Sequence, residues 1–390
     1  MLRPLRDLSL AAALALAGTC CAQNVYIVDR LGRPGAHFTD LPAAEAAAQH
    51  GDTLMLRSDA SPYTTVATSK ALTIVGDPSG IAGFSGSPAG FRVTGIPAGK
   101  DFVMRNCEIF NVSPFTGPLI RVQACLGRVH LQQVRAYLYT GSPAVEVIAC
   151  TAVTLREFDV LGAPALFARN STLALADSRF IGSTASALSA VPAGSGLGLV
   201  DSTAFLSNVQ AQGGLADRTL PPAPSMTLVG ASVSVTGIAL TARLSAGFYG
   251  SSGLTTAVPA VVATSAFVRL DPAVIVEPRG GAPGFLGVIP VMTPLATLSC
   301  TGRTNFFVAV TGTSGSVQAL LLGKPGDPIA IGGIEGRLWL DANLLVALPG
   351  GLTGFSELGL PSGLTFAMQV ATWNVGAFDF SVPAVVTNRR

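Results

Sequence analysis

VHLQQVRAYL (Val129–Leu138) is the stretch on which the fold of this chain turns. Its apolar side chains fall at the first and third positions (Val129, Leu131) and again at the sixth and eighth (Val134, Ala136). A spacing of two is the period of a strand with one buried face, and the break in parity places a bend at the fourth and fifth residues. The same pattern recurs in FVMRNCEIFN from Phe102, VTLREFDVLG from Val153, LALADSRFIG from Leu173 and LGLVDSTAFL from Leu197, at steps of 27, 24, 20 and 24 residues. A strand, a bend, a second strand and a loop at this interval describe a solenoid whose turns bury an inner face only by stacking on one another. Leucine-rich repeats would need an asparagine or cysteine position that the pattern lacks, and helical repeats would need apolar spacings of three and four. The expected fold class is all-β: a right-handed parallel β-helix solenoid followed by a small antiparallel β-sandwich-like domain.

The seventh position of the repeat reads Glu108, Arg135, Asp159, Arg179 and Thr203. Charges of alternating sign would then lie on adjacent strands ~4.8 Å apart and favour this register. Toward the N-terminus, FTDLPAAEAAAQHGDTLMLR (Phe38–Arg57) predicts a short helix and then a strand. Thr39 or Asp40 can cap that helix, Pro42 suits its first turn and Gly51 ends it; it would cover an open end of the stack. LTIVG (Leu72–Gly76) begins the series of strands. After Asn208 a loop rich in Gly and Pro interrupts the pattern, and VSVTGIAL from Val233 and VRLDPAVIV from Val268 read as two wider coils. EPRGGAPG (Glu277–Gly284) reads as a linker, and runs such as NFFVAVTG, VQALLLG and GRLWLDA follow it. The expected organisation is a signal peptide over 1–22, the β-helix with its capping helix over 23–277, a linker over 278–289 and the C-terminal β-domain over 290–390.

With 390 residues, 49% apolar and 12% charged, the chain can bury a large core. The leader is read from Arg3 and Arg6, the apolar LSLAAALALA (Leu8–Ala17) and the small residues up to Ala22, after which cleavage is predicted. That apolar run is too short to span a bilayer, and no later segment is a continuous apolar run of spanning length. The expected product is secreted or held at the cell surface, with no transmembrane segment in the mature chain. The formal charge of +2 falls to +1 when Arg3, Arg6 and Asp7 leave, which gives no electrostatic case for nucleic acid or an anionic membrane. Four cysteines remain, Cys107, Cys125, Cys150 and Cys300, without CxxC spacing. Cys125 and Cys150 precede successive repeats by four and three residues, so neighbouring coils bring them within disulfide range; a stacked pair of buried thiols is the equal alternative.

From Phe38 through Gly76 the order of helix, GDT-apolar strand and LTIVG resembles the opening of pectin-lyase-like β-helix proteins of the secreted bacterial type, including relatives of pectin methylesterases. The resemblance covers residues 25–277. It implies the fold and no single activity, because that scaffold carries lyases, hydrolases, esterases and surface proteins without catalysis. The esterases' QAVAL and DFIFG segments have no counterpart; DFVMRN at Asp101 shares only its first two residues. The arginine–proline motif of pectate lyases is missing too. The C-terminal part resembles accessory β-domains of large secreted bacterial proteins.

The candidate chemistry lies in the fifth position of the repeat: Asn106, Gln133, Glu157, Asp177 and Asp201. Stacked carboxylates of Glu157, Asp177 and Asp201 would stand ~4.8 Å apart, near the ~5–5.5 Å of a retaining glycosidase pair. Mutual repulsion would then make one of them a general acid. A calcium site on the same oxygens is a further reading, and no other cofactor is suggested. Against both stands a structural role, since Asn and Asp at a bend hydrogen-bond the local backbone. Histidines occur only at 37, 50 and 130 and no GxSxG segment is present, which disfavours a serine hydrolase. His130 is expected at the surface, GSGLG (Gly194–Gly198) inside a coil, and Trp339 and Trp373 in core packing rather than as sugar platforms. The expected function is a non-catalytic adhesion or polysaccharide-binding protein whose partner is an extracellular polysaccharide or cell-surface component. The alternative is a polysaccharide lyase or glycoside hydrolase using the stacked carboxylates.

Overall fold

The computed structural model describes residues 24–387, save for short segments of which 185–192, 248–255 and 357–364 are the longest. Its first part is a parallel β-solenoid. Phe102 pairs with Val129, Val129 with Val153 and Val153 with Leu173, so the first four quoted segments stack in the expected register. An 18-stranded sheet folded along the bend supplies two faces of each coil, and a 9-stranded sheet supplies the third. The inward positions are sealed: Val129, Leu131, Val134, Ala136, Val153, Leu155 and Val160 have no exposed surface. Phe158 and Phe180 stack across adjacent coils with ring centroids 6.5 Å apart. Burying each such aliphatic or aromatic side chain contributes roughly 1.5–3 kcal/mol, and in a solenoid that gain exists only between neighbours.

The fifth segment corrects the reading. Leu197–Val200 belongs to the 9-stranded sheet, where Leu197 pairs with Leu166 and Met226. The strand that follows Thr172–Ala176 in the folded sheet is Thr203–Ser207, with Leu173 opposite Ala204. Val233 and Val268 then continue the column, as expected of two wider coils. Consequently the charge column runs Glu108, Arg135, Asp159 and Arg179 as read, but its next member is Gln210 and not Thr203.

At the N-terminal end, Leu41–Ala47 forms the capping helix, with Asp40 accepting from the Leu41 N–H at 2.9 Å. Leu41 and Ala44 are buried over the first coil. Asp29, fully buried, accepts from Arg33 Nε at 2.7 Å and Arg57 Nη1 at 3.0 Å, and these guanidinium groups hold its carboxyl well below the usual carboxylate range. At the other end, Phe285–Leu286 pairs with Val261–Val262 and Val291–Met292 with Arg269–Leu270. Solenoid pairing thus reaches Met292, and the segment 278–289 is part of the last coil rather than a free linker. Two small, mainly antiparallel sheets follow, of 3 and 6 strands. Trp339, in the strand Leu338–Pro349, packs on Ala152, Ala174 and Ala176 of the solenoid flank and stands edge-on to Phe205 at 6.3 Å.

Coil length is absorbed unevenly. From the 9-stranded sheet into the folded sheet the chain turns through a pair such as Asn170–Ser171 or Asp201–Ser202. The return from the folded sheet takes 163–165 in one coil and 183–196 in the next.

Arg135→Glu would set three negative side chains on consecutive rungs, where Arg135 now faces Glu108 and Asp159. We expect a lower urea midpoint, a loss of about 1 kcal/mol, partly restored by salt. Arg135→Gln should lose less in the same titration.

Candidate functional site

The bend column is built on a backbone requirement. Asn106, Gln133, Glu157, Asp177 and Asn208 all have positive φ, from 48° to 56°. Asn and Asp tolerate this left-handed conformation better than other side chains. Their polar ends then meet along the stack. Gln133 Nε2 donates to Glu157 Oε2 at 2.5 Å, and Asn208 Nδ2 donates to Asp177 Oδ1 at 3.1 Å. The buried Arg156 places Nη2 2.8 Å from Glu157 Oε1 and Nε 3.9 Å from Asp177 Oδ2. Glu157 and Asp177 are therefore neighbours, as expected, but a guanidinium stands between them, where the sequence suggested bare repulsion.

Asp201 is not part of this column. It sits at the other corner, at the end of the strand Leu197–Val200, in the left-handed series Ala124, Ala149, Asn170, Asp201, Gly230 and Ser265. Its Oδ1 would lie 2.2 Å from a Cβ at Gly230, so the glycine in the next coil makes room for the carboxylate. The three-carboxylate array does not assemble. Among the described residues, no group of three or more His, Cys, Asp or Glu side chains is placed to hold a metal ion.

The residues after these corners form a second ladder. Ser171 Oγ donates to the Arg169 carbonyl at 2.8 Å and accepts the Cys150 N–H at 3.1 Å; Ser202 Oγ does the same for the Val200 carbonyl and the Ser171 N–H. Cys125 and Cys150 occupy the same position in earlier coils, each with Sγ directed at the carbonyl two residues back, 3.4 and 3.3 Å away. Both are buried free thiols. The proximity of the two sulfur atoms shifts them in opposite directions, Cys125 below the usual thiol range and Cys150 above it. GSGLG serves packing, as its glycines suggest: a Cβ on Gly194 would lie 2.4 Å from Ala163 Cα.

A third cluster was not legible as such. Arg105, Arg128, His130, Gln132, Thr154 and Arg156 point away from the solenoid core, yet all are buried. His130, expected at the surface, is 2% exposed. The adjoining outward alanines, Ala152, Ala174 and Ala176, receive Trp339 of the C-terminal sheet. Only that long-range contact distinguishes this flank from a solvated one. Arg128 Nε pairs with Asp101 Oδ1, and His130 Nδ1 lies 2.7 Å from Thr154 Oγ1. Burial lowers His130 from 6.5 to about 4, with Asp101 opposing and Arg128 reinforcing the shift. Such a flank can hold charge and geometry, and its hydroxyl–imidazole pair, Thr154 with His130, is sealed from solvent on both sides.

Comparison of the chain with protein-family models, curated proteins and solved structures gave no match.

Because the folded-state pKa of His130 lies below its unfolded value, the unfolded chain takes up the proton first as pH falls. Stability is expected to be flat above pH 6.5 and to decline toward pH 4, by up to about 3 kcal/mol from this group. His130→Gln should flatten that limb in urea titrations across the range. A double-mutant cycle separates the two corners: Asp177→Ala with Asn208→Ala should show coupling of about 1 kcal/mol, while Asp177→Ala with Asp201→Ala should be additive.

Proposed function

We propose that this chain is a secreted or cell-surface protein of the pectin-lyase-like β-helix type, serving as a non-catalytic scaffold for adhesion or polysaccharide contact. The observation that carries this reading is the state of the carboxylates. Glu157 and Asp177 already hold Gln133, Asn208 and Arg156, and Asp201 stands at a different corner. A general acid or nucleophile must reach a substrate atom within hydrogen-bond distance, whereas these oxygens are spent on the bend. The leader over 1–22 lies outside the described residues, and export is inferred from its sequence. Among the described residues no helix is long and apolar enough to cross a membrane.

Export carries a consequence for the thiols. In an oxidising compartment a thiol–disulfide oxidase can take both electrons and protons from Cys125 and Cys150, joining adjacent coils. Protein recovered from such a compartment is expected to yield a peptide linking Cys125 to Cys150 when digested without reductant.

The purified protein should bind one or more members of a panel of acidic and neutral polysaccharides without turning them over, with calcium or with chelator alike. Binding should be unchanged in Glu157→Gln/Asp177→Ala. Turnover that is lost in the folded double variant would overturn the scaffold reading in favour of a lyase or hydrolase.

A further inference from the structure

The two ends of the solenoid are finished differently. At the N-terminal end the edge strand Val25–Val28 is covered, since the His37 and Phe38 N–H groups donate to the Ile27 carbonyl and the Asp29 N–H to that of Phe38. Above it lies the capping helix, and ion pairs ring the end: Arg30 with Asp40, Arg33 and Arg57 with Asp29, and Lys70 with Glu45. The C-terminal end has neither a capping helix nor a covering strand among the described residues, and its ion pair, Arg243 with Glu277, lies at one strand of the coil, Ile275–Glu277. Among the described residues Ile275–Glu277, Phe285–Leu286 and Val291–Met292 each pair on one side only, which leaves the outer edge of the last coil open. On it Leu286 is 52% exposed, Ile289 91%, Val291 47% and Met292 54%. From Gly280 to Gly302 the sequence has no charged residue.

An open, apolar strand edge without lysines, prolines turned to the edge or a covering element recruits another edge. Soluble chains rarely leave such an end bare, and this one gathers four of the ten exposed large apolar side chains among the described residues, including the most exposed of them, Ile289. Among the described residues the C-terminal sheets do not supply the cover. Their contact through Trp339 lies on the flank, at Ala152, Ala174 and Ala176, and Ile289 remains open.

We infer that the last coil is a self-association surface, and that its occupant is the last coil of a second copy of this chain, joined tail to tail. The choice rests on complementarity. The strands Phe285–Leu286 and Val291–Met292 carry no charge and are matched by the same strands of another copy, with Glu277 on the neighbouring strand held by Arg243, whereas the molecule's own N-terminal end is capped and ringed with charge. Head-to-tail addition would therefore bring ion pairs against bare aliphatic surface and is disfavoured. A two-fold arrangement uses the same patch on both copies and closes on itself, giving a dimer and not a filament. Two strand edges meeting about such an axis run antiparallel and can exchange backbone hydrogen bonds.

Sedimentation equilibrium of the purified protein through the micromolar range tests this. A mass twice that of the chain is expected. Ile289→Arg should weaken self-association at least about tenfold, and Met292→Ser should weaken it more mildly. Leu126→Arg, at a site 61% exposed elsewhere on the solenoid, should leave it unchanged. Unaltered far-ultraviolet circular dichroism verifies folding of each variant. A short bis-maleimide should join two chains carrying Val291→Cys and leave Leu31→Cys chains unjoined. A monomer throughout, a filament, or a dimer indifferent to Ile289→Arg and Met292→Ser would each overturn the inference.

Discussion

Each coil must turn its corners with a backbone conformation that L-amino acids resist, at a cost of roughly 1–2 kcal/mol per residue. The structure offsets that cost by making the strained residues pair. The N–H of Ala124, Ala149, Asn170 and Asp201 each donates to a carbonyl of the next coil, at 2.8–3.1 Å, and Glu157, Asp177 and Asn208 do the same at the bend. Two unbroken lines of hydrogen bonds therefore run along the stack at the places where a chain would otherwise be most free to slip. Register elsewhere follows from these lines, and so does the alignment of the inward aliphatic side chains.

The same economy explains what could be seen in the sequence. Apolar alternation with a parity break was enough to place Phe102, Val129, Val153 and Leu173 in one column, because strand period and bend are local properties. Leu197 was misplaced because the two corners share one local grammar: an apolar-x-apolar strand, a left-handed Asn or Asp, then Ser. Asp177–Ser178 and Asp201–Ser202 both obey it, with φ of 48° and 46°, and both serines donate back to the carbonyl two residues earlier. Nothing within ten residues tells one corner from the other. Only the length of chain spent returning through 183–196 does so, and loop length carries no periodic signal.

Candidate chemistry divided along the same line. That Glu157 and Asp177 would be neighbours was a consequence of the repeat, but the guanidinium between them comes from Arg156 on the outward face, a position that solenoid patterning leaves unspecified. The outward Ala152, Ala174 and Ala176 beside His130 and Gln132 are covered by Trp339, from a sheet more than one hundred and fifty residues further along the chain. Buried polar side chains on that flank cost desolvation wherever they lack partners, and pairs such as Arg128 with Asp101 and His130 with Thr154 offset that cost. A composition that reads as bland is thus locally organised by contacts that no window of sequence contains.

The uneven corners have a consequence for how such a molecule can change. Two of the three edges of each coil carry the hydrogen-bond lines; there the chain turns on two residues in several coils, as at 177–178 and 201–202, and on up to six in others, as at 95–100 and 237–242. The third varies most, accepting a return as short as 163–165 or as long as 246–260 while the coils on either side keep their register. Foreign peptide grafted along that edge would be displayed as a row, with a spacing close to the rise between coils, on a frame that does not need to know what it carries.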